Sequence, residues 1–258
     1  MSNVLLDPNA FGNVLEWWYD TDLHTIFTNK LAEGLVVGVD QTLGLIFISA
    51  AIGALFYRTG RVVLKWIIYL GILGLVLITF ALMYAKNFYV GLFFEHAAQI
   101  LSPLFLIFAI RKMPLPTFVL WLKITIAIAF ICHGLFAIGH YPIPGKFVDM
   151  MIYGFGLEEE VAKQILFSLG ILDFAFAILI FVPKLAKPAL IYGIVWGFLT
   201  AMARITTSFD IHFMSNWLSQ YLYQFFIRIS HFSIPLILWL IATNYITRIP
   251  FRQPKTSE

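Results

Sequence analysis

Cysteine occurs once in these 258 residues, as Cys132, which excludes an internal disulfide and a thiolate metal cluster. Charge is nearly as scarce. Only 12% of the residues are Asp, Glu, Lys or Arg, against about a quarter in a soluble domain, too few to dress the surface of a soluble fold of this length. The net charge of +3 is no nucleic-acid footprint, because no basic residues cluster with exposed aromatics in a soluble segment, and nucleic acid is not an expected partner. The motifs of soluble catalysis are missing too: no HExxH, Gly-rich phosphate loop, nucleophile elbow or CxxC. No residue receives a catalytic role from motif alone, and no metal site is expected. The first residues also lack the basic start, apolar stretch and small-residue cleavage site of a signal peptide.

What the chain has is apolar length. Hydrophobic residues make up 60% and the mean hydropathy is +0.87. A bilayer core needs roughly 20 apolar residues per helix, and seven runs satisfy it, at about 36–57, 62–84, 88–110, 116–138, 161–182, 188–209 and 221–246. The runs are continuous rather than alternating, which excludes a transmembrane β-barrel. The expected fold is all-α, a polytopic membrane helical bundle of about seven transmembrane helices. Arg58, Arg61 and Lys65, Arg111 and Lys112, Lys184 and Lys187, and Arg248, Arg252 and Lys255 fall in alternate connections. Because Lys and Arg collect on the cytoplasmic side, the N-terminus is expected outside and the C-terminus inside, in a bacterial inner membrane. Lys30, Lys86, Lys146 and Lys163 fall on the other side, with most of the acids.

The division expected along the chain is an outer interfacial amphipathic segment over 1–35, three transmembrane helices over 36–115, and four more with a cytoplasmic tail over 116–258. The first segment mixes Trp17, Trp18 and Tyr19 with acids, as a helix at a membrane interface does. The long outer connection 139–160 resembles it: Phe147, Met150, Met151, Ile152 and Phe155 interleave with Lys146 and Asp149, a pattern suited to a lid over the bundle's outer mouth. Glu158, Glu159 and Glu160 read as a helix start, where negative charge is favoured. Aligning Pro103 with Pro235 pairs His96 with Arg228 and Gln99 with His231, consistent with a degraded internal repeat or with chance matching of apolar helices.

Ionisable side chains inside hydrocarbon are costly and need a partner or a purpose. Glu95, His96, Gln99, His133, Asp173, Arg204, Arg228 and His231 all fall within the apolar runs. Counted from helix centres, Asp173 lies near the midplane and His133 and Arg204 roughly 9 Å outward of it, so the group shares the outer half and predicts one polar pocket opening outward. Arg228, His231 and Pro235 share a helix face, as do His96, Gln99 and Pro103. Gly134, Ala137, Gly170, Ala177, Gly197 and Ala201 flank the same depth and would let helices approach closely. Two readings stay open for these residues, ligand binding or proton handling on one side, structural pairing on the other. For Asp173 the structural alternative is an ion pair with Arg204 or Arg228. His24 and His212 are expected at the outer surface, Lys123 is expected to snorkel, and His140, just before "YPIP", is expected wet and at most a helix cap.

The segments "HGLFAIGHYPIP", "LGILDFAFAIL", "IYGIVWGFLTAMARI" and "FIRISHFSIPLILW", in that order, resemble the DoxX-like membrane proteins, a superfamily built on a four-helix membrane bundle. The resemblance spans roughly 120–246. It implies that His133, Gly134, Asp173, Arg204, Arg228 and Pro235 hold the positions where such proteins keep recurring polar and structural residues. Related sequences often have Glu before the last arginine and Asn three residues after it; here Ile227 and His231 stand, which changes the donor and acceptor inventory of any shared site. Relatives are associated with membrane redox assemblies. The implied function is a membrane subunit of, or accessory to, a redox system, with a quinone-like ligand in the outer-half pocket and other membrane subunits as partners. The alternatives are a structural subunit of a membrane complex, or a small-solute or proton-coupled transporter. Haem ligation by His96 and His231 is the less favoured cofactor reading.

Overall fold

The computed structural model describes residues 28, 30–207, 209 and 211–243. The expected interfacial segment is therefore largely outside the described residues, as are His24, Arg248, Arg252 and Lys255. The described chain is helical, in the order α1 (Lys30–Phe56), α2 (Val62–Ala85), α3 (Val90–Glu95), α4 (Ala97–Ile110), α5 (Leu115–Ala137), α6 (Gly145–Phe155), α7 (Glu159–Leu179), α8 (Ala186–Thr206), α9 (Met214–Trp217) and α10 (Tyr223–Ala242), with a 3-10 turn at Ile211–Phe213 and a π turn at Leu218–Leu222. Among the described residues seven stretches are long and apolar enough to cross a bilayer: Gly34–Phe56, Val62–Ala85, Val90–Ile110, Leu115–Ala137, Glu159–Leu179, Ala186–Thr206 and Tyr223–Ala242. The protein is an integral membrane protein of all-α fold. The spans match the apolar runs to within a few residues, because in hydrocarbon the backbone must satisfy its hydrogen bonds within each segment.

The chain divides into two compact units at Phe93 and Phe94. In the first, α1 and α2 pack where Gly71 and Gly74 meet Ala50, Leu43 and Phe47. Leu45, Ile48, Ile52 and Leu55 on α1 and Trp66, Leu70, Leu73 and Leu77 on α2 are exposed, each set at three- and four-residue spacing, the stripe a helix offers to lipid tails.

The second unit holds α4 to α10. Its centre is an apolar cluster that includes Ile126, Phe130, Phe176, Leu190, Ile234 and Leu238, with the rings of Phe130 and Phe176 4.3 Å apart. Glycine brings the helices together. A Cβ on Gly134 of α5 would lie 3.0 Å from the Gly170 carbonyl of α7, and one on Gly197 of α8 2.9 Å from the His231 carbonyl of α10; these backbones touch, as small residues in membrane helices allow. The division at Phe93 differs from one at residue 115, because residues of α4 such as Ala98 and Phe105 belong to this same apolar cluster.

Between α5 and α7 the chain reverses over a short amphipathic helix. The α5 helix ends in a Schellman motif: Gly139 takes φ +83°, its N–H donates to the Phe136 carbonyl at 3.2 Å, and the His140 N–H donates to the Leu135 carbonyl at 3.0 Å. Pro142 and Pro144 cannot prolong that helix. The α6 helix then buries Val148 against Ala162 and Leu166 of α7 and ends at Gly156, φ +66°.

Candidate functional site

The third membrane span is interrupted. α3 ends at Glu95, His96 stands in a turn, and α4 resumes at Ala97, the Ile100 N–H returning to the His96 carbonyl at 3.0 Å. This break directs the buried Glu95 at α10, where its Oε1 accepts from Arg228 Nη2 in an ion pair. Arg228 Nη1 donates to His133 Nε2 on α5. His133 Nε2 lies 3.1 Å from His231 Nε2, and His133 Nδ1 lies 3.6 Å from Glu95 Oε1. Four side chains from three membrane spans thus form one connected polar group.

The hydrogen-bonding roles follow from what each partner can do. A guanidinium only donates, so His133 Nε2 accepts and His133 carries its proton on Nδ1, toward Glu95. Arg228 thereby takes the one in-plane lone pair of His133 Nε2. His231 Nδ1 is buried and has no hydrogen-bond partner among the described residues.

These groups border a cavity of about 370 Å³ lined by α5, α6, α7, α8 and α10, within the roughly 300–1,000 Å³ usual for small-molecule sites. Its walls are mostly apolar, with Phe130, Phe147, Met150, Met151 and Leu166 among them, while the ionisable side chains of His133, Asp173, Arg204, Arg228 and His231 line it together with Trp196 and three threonines, Thr200, Thr206 and Thr207. Phe147, Met150, Met151 and Phe155 make α6 one wall of the cavity.

The expected ion pair of Asp173 with Arg204 or Arg228 is not formed, and this corrects the sequence reading. Among the described residues neither arginine comes within ion-pair distance of Asp173; the carboxylate of Arg228 is Glu95. Asp173 Oδ1 instead accepts from the Tyr192 hydroxyl at 2.9 Å. The partner it takes, Tyr192, precedes Arg204 by twelve residues, about 18 Å between their positions along α8. Arg204 donates Nη1 to the Thr200 carbonyl at 2.6 Å.

Of the eight residues expected at the site, His133, Asp173, Arg204, Arg228 and His231 line the cavity, and Glu95 is tied to it through Arg228. His96 and Gln99 do not line it. His96 sits at the helix break, and the imidazole facing His231 is that of His133. Gln99 has both side-chain amide atoms buried without partners among the described residues. His140 is exposed, its ring against Tyr141. Tyr192, Trp196 and Thr200 were not anticipated. With Arg204 they recur every four residues on one ridge of α8, a spacing that singles them out in retrospect.

The chain matches no protein-family model, no curated protein and no solved structure. Its chemistry therefore has to be read from the cavity. An apolar chamber with donors and a buried ion pair at its polar side suits a ligand that is largely apolar and carries a small oxygen-bearing head.

Proposed function

We propose that this protein is a DoxX-like membrane protein that holds a quinone-like ligand in the cavity beneath α6 and serves a membrane redox system as a subunit or accessory. The observation that carries this reading is the presence, on one largely apolar cavity, of Arg204, a donor suited to the carbonyl oxygen of such a head. The residues present fit the group. When bound, a quinone supplies the electron-transfer chemistry.

The chain's own residues orient it. His133, bonded to Arg228 and 3.1 Å from His231 across their Nε2 atoms, fixes the polar side of the chamber. Arg228 pairs with Glu95 and holds His133 in register. The apolar walls keep bulk water away from the head. We place the protein in a bacterial inner membrane with the basic connections cytoplasmic, following the Lys and Arg bias.

Fluorescence offers the test, because Trp196 lines the cavity and a quinone ring in contact with an indole quenches its emission. In nanodiscs a short-chain quinone should quench the part of the emission that Trp196→Phe removes, and His231→Ala should weaken that quenching. Quenching that is equal in the wild type and in Trp196→Phe would place the quinone elsewhere and overturn the proposal.

A further inference from the structure

The cavity has one cation too many. Two guanidiniums, Arg204 and Arg228, border it, and Glu95 is engaged by Arg228 and His133. The other carboxyl in the lining, Asp173, is held by Tyr192 at the far end of the α8 ridge. Arg204 has five N–H donors, and among the described residues the only acceptor it meets is the Thr200 carbonyl. A charge within a membrane span ordinarily finds a partner or shows where a partner binds. His231 and His133 add no compensating negative charge.

We infer that Arg204 is the counter-ion for an ionised oxygen on the occupant, so that the cavity selects an acidic amphiphile, with a carboxylate, phosphate or acidic hydroxyquinone head, over a neutral one of the same chain. The inference rests on the cavity as the binding site and not on its redox role. A guanidinium matches an oxyanion with two parallel donors. The apolar walls under α6 take the adjoining part of the chain. Arg228 remains paired with Glu95, and Asp173 is bonded to Tyr192 rather than to Arg204.

The test uses the full chain in nanodiscs of zwitterionic lipid with two probes, bromine-labelled dodecanoate and the matching bromine-labelled dodecanol. Quenching of Trp196 is read as the difference between the wild type and Trp196→Phe, at equal amounts of probe in the membrane. The acid should quench at about tenfold lower mole fraction than the alcohol, a factor equal to ~1.4 kcal/mol. Arg204→Gln should abolish that preference, and Arg204→Lys should keep it. Equal quenching by acid and alcohol in the wild type overturns the inference without recourse to any variant, and so does an acid preference that survives Arg204→Gln. A neutral quinone separates the two proposals. If it quenches Trp196 while the acid preference is absent, this inference falls and the proposed function stands; if the acid preference is present without quinone quenching, the reverse holds.

Discussion

Removing the Glu95 carboxylate would strand Arg228 inside the bundle, and breaking a buried pair in this way costs about 3–5 kcal/mol. Glu95→Gln should therefore lower the thermal unfolding temperature in detergent sharply. Adding Arg228→Gln should recover part of the loss, whereas Asp173→Asn combined with Arg228→Gln should show losses that simply add. Additive losses for the Glu95 and Arg228 pair would contradict the ion pair. The histidines divide in the same manner. His133 bonds two members of the polar group, so His133→Ala should impair Trp196 quenching by the ligand. His140 is exposed, and a surface change away from special features stays within about 0.5 kcal/mol, so His140→Ala should alter neither quenching nor unfolding temperature. The reverse ranking would show that the polar group is misplaced.

Helices meet here through glycine, and that sets which substitutions an element tolerates. Gly197→Ala forces a Cβ to within 2.9 Å of the His231 carbonyl, a backbone atom that cannot swing aside, so it should cost about 1–3 kcal/mol and shift the backbone that carries His231. Gly38→Ala on α1 meets nothing within 4 Å, and should be neutral or stabilise by about 0.4–1 kcal/mol. Thermal unfolding of the two variants in one detergent compares them directly; equal losses would mean that the α8 and α10 backbones do not touch. The spans themselves were legible in the sequence because lipid imposes a minimum apolar length on any helix that crosses it. The convergence of His133, Asp173, Arg204, Arg228 and His231 was legible too, since polar side chains in hydrocarbon have few places to go. Which charge meets which was not. Glu95 reaches Arg228 through a helix break at His96, and no proline or glycine at that position announces it. Asp173 finds a tyrosine hydroxyl instead, and Tyr192 reads in the sequence as one more aromatic in an apolar run.

Across the whole molecule, orientation is the property that a thiol can report, because Cys132 is buried and contributes little background. In a Cys132→Ala chain, a cysteine at Lys146 should react with an impermeant maleimide on intact cells, and one at Lys184 only after permeabilisation. Labelling in the opposite order would invert the proposed topology. The helix break at His96 has a consequence for how far this protein can be cut down. The four long helices α5, α7, α8 and α10 look like a self-sufficient module, yet a chain started at Leu115 would lose Glu95 and keep Arg228. It would carry both arginines of the cavity with no ionised partner for either, and would have to misplace a charge or recruit an anion in order to fold. The smallest inheritable unit of this site is consequently five spans long, and the third span is the one that supplies the carboxylate paired with Arg228.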